Sequence, residues 1–141
     1  MNVVVDASMA LAWIFERQKP EEAQLADQLL RSADEASWLA PSLLHLEVSN
    51  ALLVGERRKV VTGAQVIDYL NRFDRLPIRI EGDGTPIKRS AIMALAREHG
   101  LSAYDATYLE VALRSSASLA TFDAKLALAM TKAGGTLYST V

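Results

Sequence analysis

Asn2-Val3-Val4-Val5-Asp6-Ala7-Ser8 is the stretch on which the fold turns. Three consecutive β-branched residues suit a strand buried on both faces, as in a parallel sheet covered by helices. An acid then stops the run at its carboxyl end. The same alternation continues outward. Helical periodicity over 8–16 follows, and Pro20-Glu21-Glu22 opens a second helix with Ala23, Leu25, Ala26, Leu29 and Leu30 on its apolar stripe. Trp38-Leu39-Ala40-Pro41 reads as a short strand ending at its proline. Helices are expected over 42–59 and 63–76, a strand at Ile78-Arg79-Ile80 and a turn at Glu81-Gly82-Asp83-Gly84. A further helix starts at Pro86 and stops before Gly100, a suitable left-handed terminator. A helix over 102–114, a strand over 118–121, a helix over 123–133 and a last strand over 136–138 complete the chain. Strands separated by helices imply right-handed β-α-β units, hence an α/β fold with a parallel sheet flanked by helices. No repeat or Pro/Ser-rich linker interrupts it, so residues 1–141 are expected to form a single domain.

Composition narrows the chemistry. Half of the 141 residues are apolar, which excludes a disordered chain. There is no cysteine, hence no disulfide, thiolate metal site or Cys nucleophile. His45 and His99 are not spaced as a helical ligand pair, and neither a G-x-S-x-G elbow nor a Gly-rich phosphate loop is present. The longest apolar run, 9–15, falls well short of the roughly 20 residues a membrane span needs, and the N-terminus has no basic leader. A cytoplasmic protein with no membrane attachment is expected. The net charge of −2 conceals segregation: residues 1–55 carry −5, 56–97 carry +4 and 98–141 carry −1.

Four carboxylates stand where a carboxylate needs a reason. Asp6 ends the first strand, and an N-cap for the next helix is an equally good local explanation. On a helical wheel His45, Ser49 and Glu56 form the wet side of their helix, whereas Glu47 falls opposite with Leu43, Asn50 and Val54. An unpaired charge buried there costs several kcal/mol or shifts its pKa, so it calls for an arginine partner or a functional role. Ser102-Ala103-Tyr104-Asp105 has the form of a capping box, yet Asp105 shares a face with Tyr108, Leu109 and Ala112, opposite Glu110 and Arg114. Asp123 is a second strand-end acid that could also cap a helix, and Thr121 lies two residues before it. In parallel α/β sheets the crevice beyond the strands' carboxyl ends, where strand order reverses, is where ligands bind. Four anions meeting there repel one another. A pair about 5 Å apart at an effective dielectric of about 20 costs roughly 3 kcal/mol. Such a cluster must take up protons or bind hard cations. Oxygen ligands without His or Cys favour Mg²⁺ or Mn²⁺, and metal-assisted phosphoester cleavage is the chemistry that follows.

Val3-Val4-Val5-Asp6-Ala7-Ser8, Leu46-Glu47-Val48-Ser49-Asn50, the segment from His99 through Asp105 to Leu109, and Leu119-Ala120-Thr121-Phe122-Asp123-Ala124-Lys125-Leu126 resemble the PIN-domain ribonucleases. More narrowly, they are similar to the VapC toxins of bacterial toxin–antitoxin systems. The likeness runs through essentially the whole chain, in order. It implies a three-layer α/β/α fold and a metal-dependent endoribonuclease acting on structured RNA such as tRNA or rRNA. It also implies a homodimer and a cognate antitoxin that covers the cleft. Residue by residue, Asp6, Glu47, Asp105 and Asp123 match the family's acidic quartet, with catalytic and metal-binding roles. Ser8, Asn50 and Thr121 match its supporting polar positions. Arg57, Arg58 and Lys59 either hold RNA phosphates or form a solvated helix end, where cations suit the dipole. Trp13 and Phe15 are read as core or dimer surface.

Three other readings compete. A phosphatase of the haloacid dehalogenase type wants D-x-D after the first strand, where this chain has Asp6-Ala7-Ser8. A phospho-accepting receiver domain wants an Asp at the end of a central strand, where Ile78-Arg79-Ile80 leads to Glu81. A catalytically silent PIN-like binding module would keep the acids for docking alone.

Overall fold

The computed structural model describes residues 1–82 and 84–139. Four parallel strands, β1 (Asn2–Val5), β2 (Ser37–Pro41), β3 (Ile78–Glu81) and β4 (Ser118–Ala120), form one sheet in the order β3-β2-β1-β4. Seven helices among the described residues flank it: α1 (Ala7–Leu11), α2 (Pro20–Arg31), α3 (Leu43–Arg57), α4 (Gly63–Phe73), α5 (Pro86–His99), α6 (Ala103–Arg114) and α7 (Ala124–Lys132). The chain steps from β1 to β2 to β3 in one direction, then returns to place β4 on the other side of β1. Strand order therefore reverses at β1 and β4, and a crevice opens beyond their carboxyl ends.

Side chains alternate across the strands, and the core divides accordingly. Val3, Val5, Trp38 and Ala40 face one side and pack with Met9, Leu29, Leu44, Val48, Tyr69 and Phe73 of α1 to α4. Val4, Leu39 and Leu119 face the other, against Tyr108, Leu109, Ala112, Leu126 and Met130 of α6 and α7. Every side chain of Val3-Val4-Val5 is fully buried, as a strand covered on both faces requires. The arrangement is a three-layer α/β/α fold, with α5 laid against α6.

Two elements differ from the sequence pattern. The first helix stops at Leu11 rather than continuing to 16. Beyond it, turns let Trp13 enter the core, where it stacks on Trp38 at 5.6 Å and donates from Nε1 to the Ala26 carbonyl at 2.9 Å. The gain from burying that indole outweighs helix propensity there. Residues 136–138 form no strand of the sheet: among the described residues of the chain end, a single bridge joins Leu137 to Leu119. Of the expected turn at 81–84, Glu81 belongs to β3, and Asp83 lies outside the described residues.

Gly100 takes the left-handed conformation at the end of α5 (φ 64°), and its added Cβ would meet open space. A substitution there isolates the backbone term. Gly100→Ala is expected to lower stability by about 1–2 kcal/mol, read as a shift in the urea midpoint at unchanged slope.

Candidate active site

Asp6 is the anchor of the site. It follows the buried valines directly, and its N–H still pairs with the Ala120 carbonyl at 3.2 Å, so β1 and β4 hold it from behind. Its side chain is the N-cap of α1, with Oδ1 accepting from the Met9 N–H at 3.0 Å and from Ser8 Oγ at 2.7 Å. The Thr121 hydroxyl donates to Oδ2. The cap and the site are thus the same carboxylate. Ser8 Oγ in turn accepts from the Phe122 N–H at 2.8 Å, and Thr121 Oγ1 from the Asp123 N–H at 3.0 Å. These bonds tie the loop after β4 to the start of α1. Only 4% of Asp6 is exposed, and burial pushes its carboxyl up to about 6 despite the three donors, with Asp123 adding to the rise.

The other acids come from three separate elements. Asp123 caps α7, accepting from the Leu126 N–H at 2.9 Å. Asp105 lies in the first turn of α6, whose N-cap is Ser102, and its backbone N–H donates to Ser102 Oγ at 3.1 Å. The capping motif is real, and Asp105 is nonetheless half-buried, with its carboxyl raised first by burial and then by Asp123, and lowered by Ser102 and Lys125. Glu47, in the second turn of α3, is half-buried and raised by burial and by Asp105, against a lowering hydrogen bond from Tyr108. Asp6 and Asp105 both respond to Asp123, and Glu47 responds to Asp105. The four acids share one electrostatic neighbourhood.

Tyr108 is the residue that the sequence pattern undervalued. Only 1% exposed, it sends its hydroxyl from the α6 layer to Glu47 Oε1 in the α3 layer at 2.5 Å. Its place on the Asp105 face was legible; its partner was not, because α3 and α6 lie on opposite sides of the sheet and meet only past its carboxyl edge. Asn50 is exposed and Leu43, Glu47 and Val54 are half-buried, so the expected dry face of α3 is in fact partly open to solvent. Glu110 also departs from expectation: it is buried, and both carboxylate oxygens receive Arg114 Nε, at 2.9 and 3.1 Å. Trp13 and Phe15 pack against the core, as one of their two readings required. Arg57, Arg58 and Lys59 are exposed at the far end of α3. Ten residues separate Arg57 from Glu47, roughly 15 Å of helix axis, so this cluster is not part of the acidic site.

The donor chemistry fits a hard cation: four carboxylates, with no imidazole or thiolate among them. Among the described residues no three acids form a ready-made ligand set. Mutual repulsion spreads uncompensated carboxylates, and Mg²⁺ is usually held by one or two carboxylates while keeping several waters, so an open set suits it.

Two measurements follow. Folded Asp6 binds its proton more tightly than the unfolded residue, so stability falls as pH rises from about 4 to about 6. In buffer free of divalent cations, the stability of Asp6→Asn relative to the parent should therefore rise across that window by on the order of 2–3 kcal/mol, read by urea unfolding. A flat difference would contradict the burial argument. Tyr108→Phe removes the donor to Glu47 and should cost about 1–3 kcal/mol. A change below about 0.5 kcal/mol would mean that the bond is not made in solution.

Comparison with solved structures gives the same architecture. PAE2754 from Pyrobaculum aerophilum matches with a TM-score of 0.65 at 23% identity, covering 92% of this chain and 84% of that one. FitAcB from Neisseria gonorrhoeae matches with a TM-score of 0.60 at 16% identity, covering 97% of this chain and 96% of that one. At these identities the likeness speaks for the fold. No curated protein matches the chain. The PIN domain family matches residues 3–129, a span that contains all four acids, and PIN domains are generally nucleases that use divalent metals. With that match running from β1 into α7, the chain belongs to the PIN domain family.

Proposed function

We propose that this protein is a Mg²⁺- or Mn²⁺-dependent endoribonuclease, the VapC-like toxin of a toxin–antitoxin pair. In this reading it acts in the cytoplasm on structured RNA such as tRNA or rRNA, with residues 1–141 working as one PIN domain within a homodimer. The observation that carries the nuclease reading is the convergence of four acids from β1, α3, α6 and the loop after β4 on one electrostatic neighbourhood. Three of them hold protons more tightly than an ordinary carboxyl group, first because burial disfavours the charged form and then because neighbouring acids repel it.

Asp6, Glu47, Asp105 and Asp123 would hold the cation. When bound, it lowers the pKa of water and offsets the charge that develops on the phosphoryl and departing oxygens. The chain's own contribution is placement. Ser8 and Thr121 orient Asp6 from opposite oxygens, Tyr108 fixes one oxygen of Glu47, and the α7 cap fixes one oxygen of Asp123. Asn50, exposed on α3 beside Glu47, is assigned a supporting role at the substrate. Attack by water in line with the 3′-oxygen leaves a 3′-hydroxyl and a 5′-phosphate.

The toxin assignment rests on the likeness to VapC sequences, and it implies an antitoxin that covers the cleft. Arg57, Arg58 and Lys59 could hold RNA some 15 Å from Glu47, as a distal contact. A silent binding module would present the same acids without turnover. For the receiver alternative, β3 is an edge strand and ends on Glu81, so the acid that ends a central strand is Asp6, after β1, and acetyl-phosphate labelling of that residue tests the alternative.

Asp6→Asn and Asp105→Asn are each expected to reduce cleavage of total RNA by at least about 10²-fold while remaining folded, and excess EDTA to abolish cleavage until Mn²⁺ is restored. Full activity in either variant, or in EDTA, would sink the mechanism. Absence of cleavage by the parent with Mn²⁺ would favour the binding module.

A further inference from the structure

The loop between α1 and α2 carries a cation that no role described so far uses. Arg17 lies over the ring of Phe122, with its guanidinium carbon 4.5 Å from the ring centroid. Glu22, in the first turn of α2, accepts from its Nε at 3.1 Å and from Nη2 at 2.8 Å. These bonds use two of the five guanidinium donors and hold the group in one orientation. Glu16, Arg17, Gln18, Lys19, Glu22 and Phe122 line a crevice of about 500 Å³. Its position is set by Phe122, whose N–H binds Ser8 Oγ and whose neighbours in the chain are Thr121 and Asp123. One wall of the crevice is thus tied through Ser8 to Asp6, the anchor of the acid cluster.

We infer that this crevice is a subsite for an RNA nucleotide next to the scissile bond, with Arg17 receiving its backbone phosphate. The inference rests on the nuclease reading and adds the surface that holds the substrate strand. A strand threaded past four carboxylates needs a fixed cation beside them, because its neighbouring phosphates are otherwise repelled. Arg17 meets that need better than a free surface lysine. Its stem and plane are packed on Phe122, its Glu22 contacts pre-order the fork, and its remaining donors are geometrically suited to phosphate oxygens. Lys19 adds a second positive charge on the same wall, which offsets Glu16 while Glu22 is taken up by Arg17. A crevice of this volume lies within the range of small-ligand sites and can take a nucleotide unit.

The test measures binding separately from turnover. In the Asp6→Asn background with EDTA, Kd for a short fluorescein-labelled oligouridylate is measured by anisotropy over a range of salt concentrations. Arg17→Gln should raise Kd about tenfold and reduce the slope of log Kd against log salt by about 0.7, the value of one single-strand phosphate contact. Glu22→Gln removes the same ion pair but leaves the guanidinium, so its Kd should be unchanged or lower. Arg31→Gln, which removes an equivalent charge at the other end of α2, should leave Kd within about twofold. An unchanged Kd and slope in Arg17→Gln would overturn the subsite while leaving the nuclease reading intact. Weakening by Glu22→Gln equal to that by Arg17→Gln would also overturn it, since the pair would then be a structural brace. Equal weakening by Arg31→Gln would reduce the effect to overall charge and overturn it too. Absence of binding by the Asp6→Asn parent would overturn the subsite, whereas the nuclease reading stands or falls with the cleavage assay.

Discussion

The structure depends on a carboxylate held almost wholly out of water. Asp6 is nearly fully buried, and its two oxygens take donors from both sides of the chain crossing: the start of α1 through Ser8 and the Met9 N–H, and the end of β4 through Thr121. An unpaired buried charge would cost several kcal/mol, so the surrounding donors are a condition of its being there. They also do the work of architecture. The same bonds cap α1, bring the loop after β4 against β1 and place Phe122 and Asp123. Removing any one of them disturbs a helix end and a site together.

The donors do not abolish the burial penalty. Asp6 still titrates near 6, and Glu47 and Asp105 are shifted in the same direction. A fold that stores several acids in this state is less stable at neutral pH than one with isosteric amides, the kind of cost that functional sites carry. Stability that functional sites forgo is made up elsewhere, here in the two faces of the sheet. One core layer is built on Val3, Val5 and Trp38, the other on Val4, Leu39 and Leu119. The two layers are also joined by Tyr108 of α6 and Glu47 of α3, a polar bond between helices whose buried faces belong mainly to different cores.

Charge segregation has a local meaning in this arrangement. With the four site acids set aside, fifteen cations face thirteen acids, and the remainder of the chain is positive. The cation that acts on the site acids is not in the dense run at the end of α3 but is the isolated Lys125, which lowers Asp105. The middle segment's surplus is spread over α4, β3 and α5, and the helical rise alone carries the end of α3 away from the cleft.

The alternation of strand and helix, the parallel sheet, most element bounds and the left-handed Gly100 were all legible in the sequence. They are set by local chemistry: β-branched runs, proline at helix starts, a glycine where φ is positive. The four acids were legible too, as charges in places where burial is costly. Three things were not. The first helix ends early because Trp13 gains more by stacking on Trp38 than by continuing the helix. Glu110 is buried with Arg114 although its helical face read as solvent, because α5 packs against α6. The Tyr108–Glu47 and Arg17–Phe122 pairs join residues 61 and 105 positions apart. The sequence by itself determined local conformation and most of the apolar core, since those depend on neighbours a few residues away, but not the burial of every polar group, as Glu110 and Asn50 show. Which distant side chains meet was decided by the tertiary structure alone, because the crossing at β1 and β4 brings together segments whose spacing carries no periodic trace.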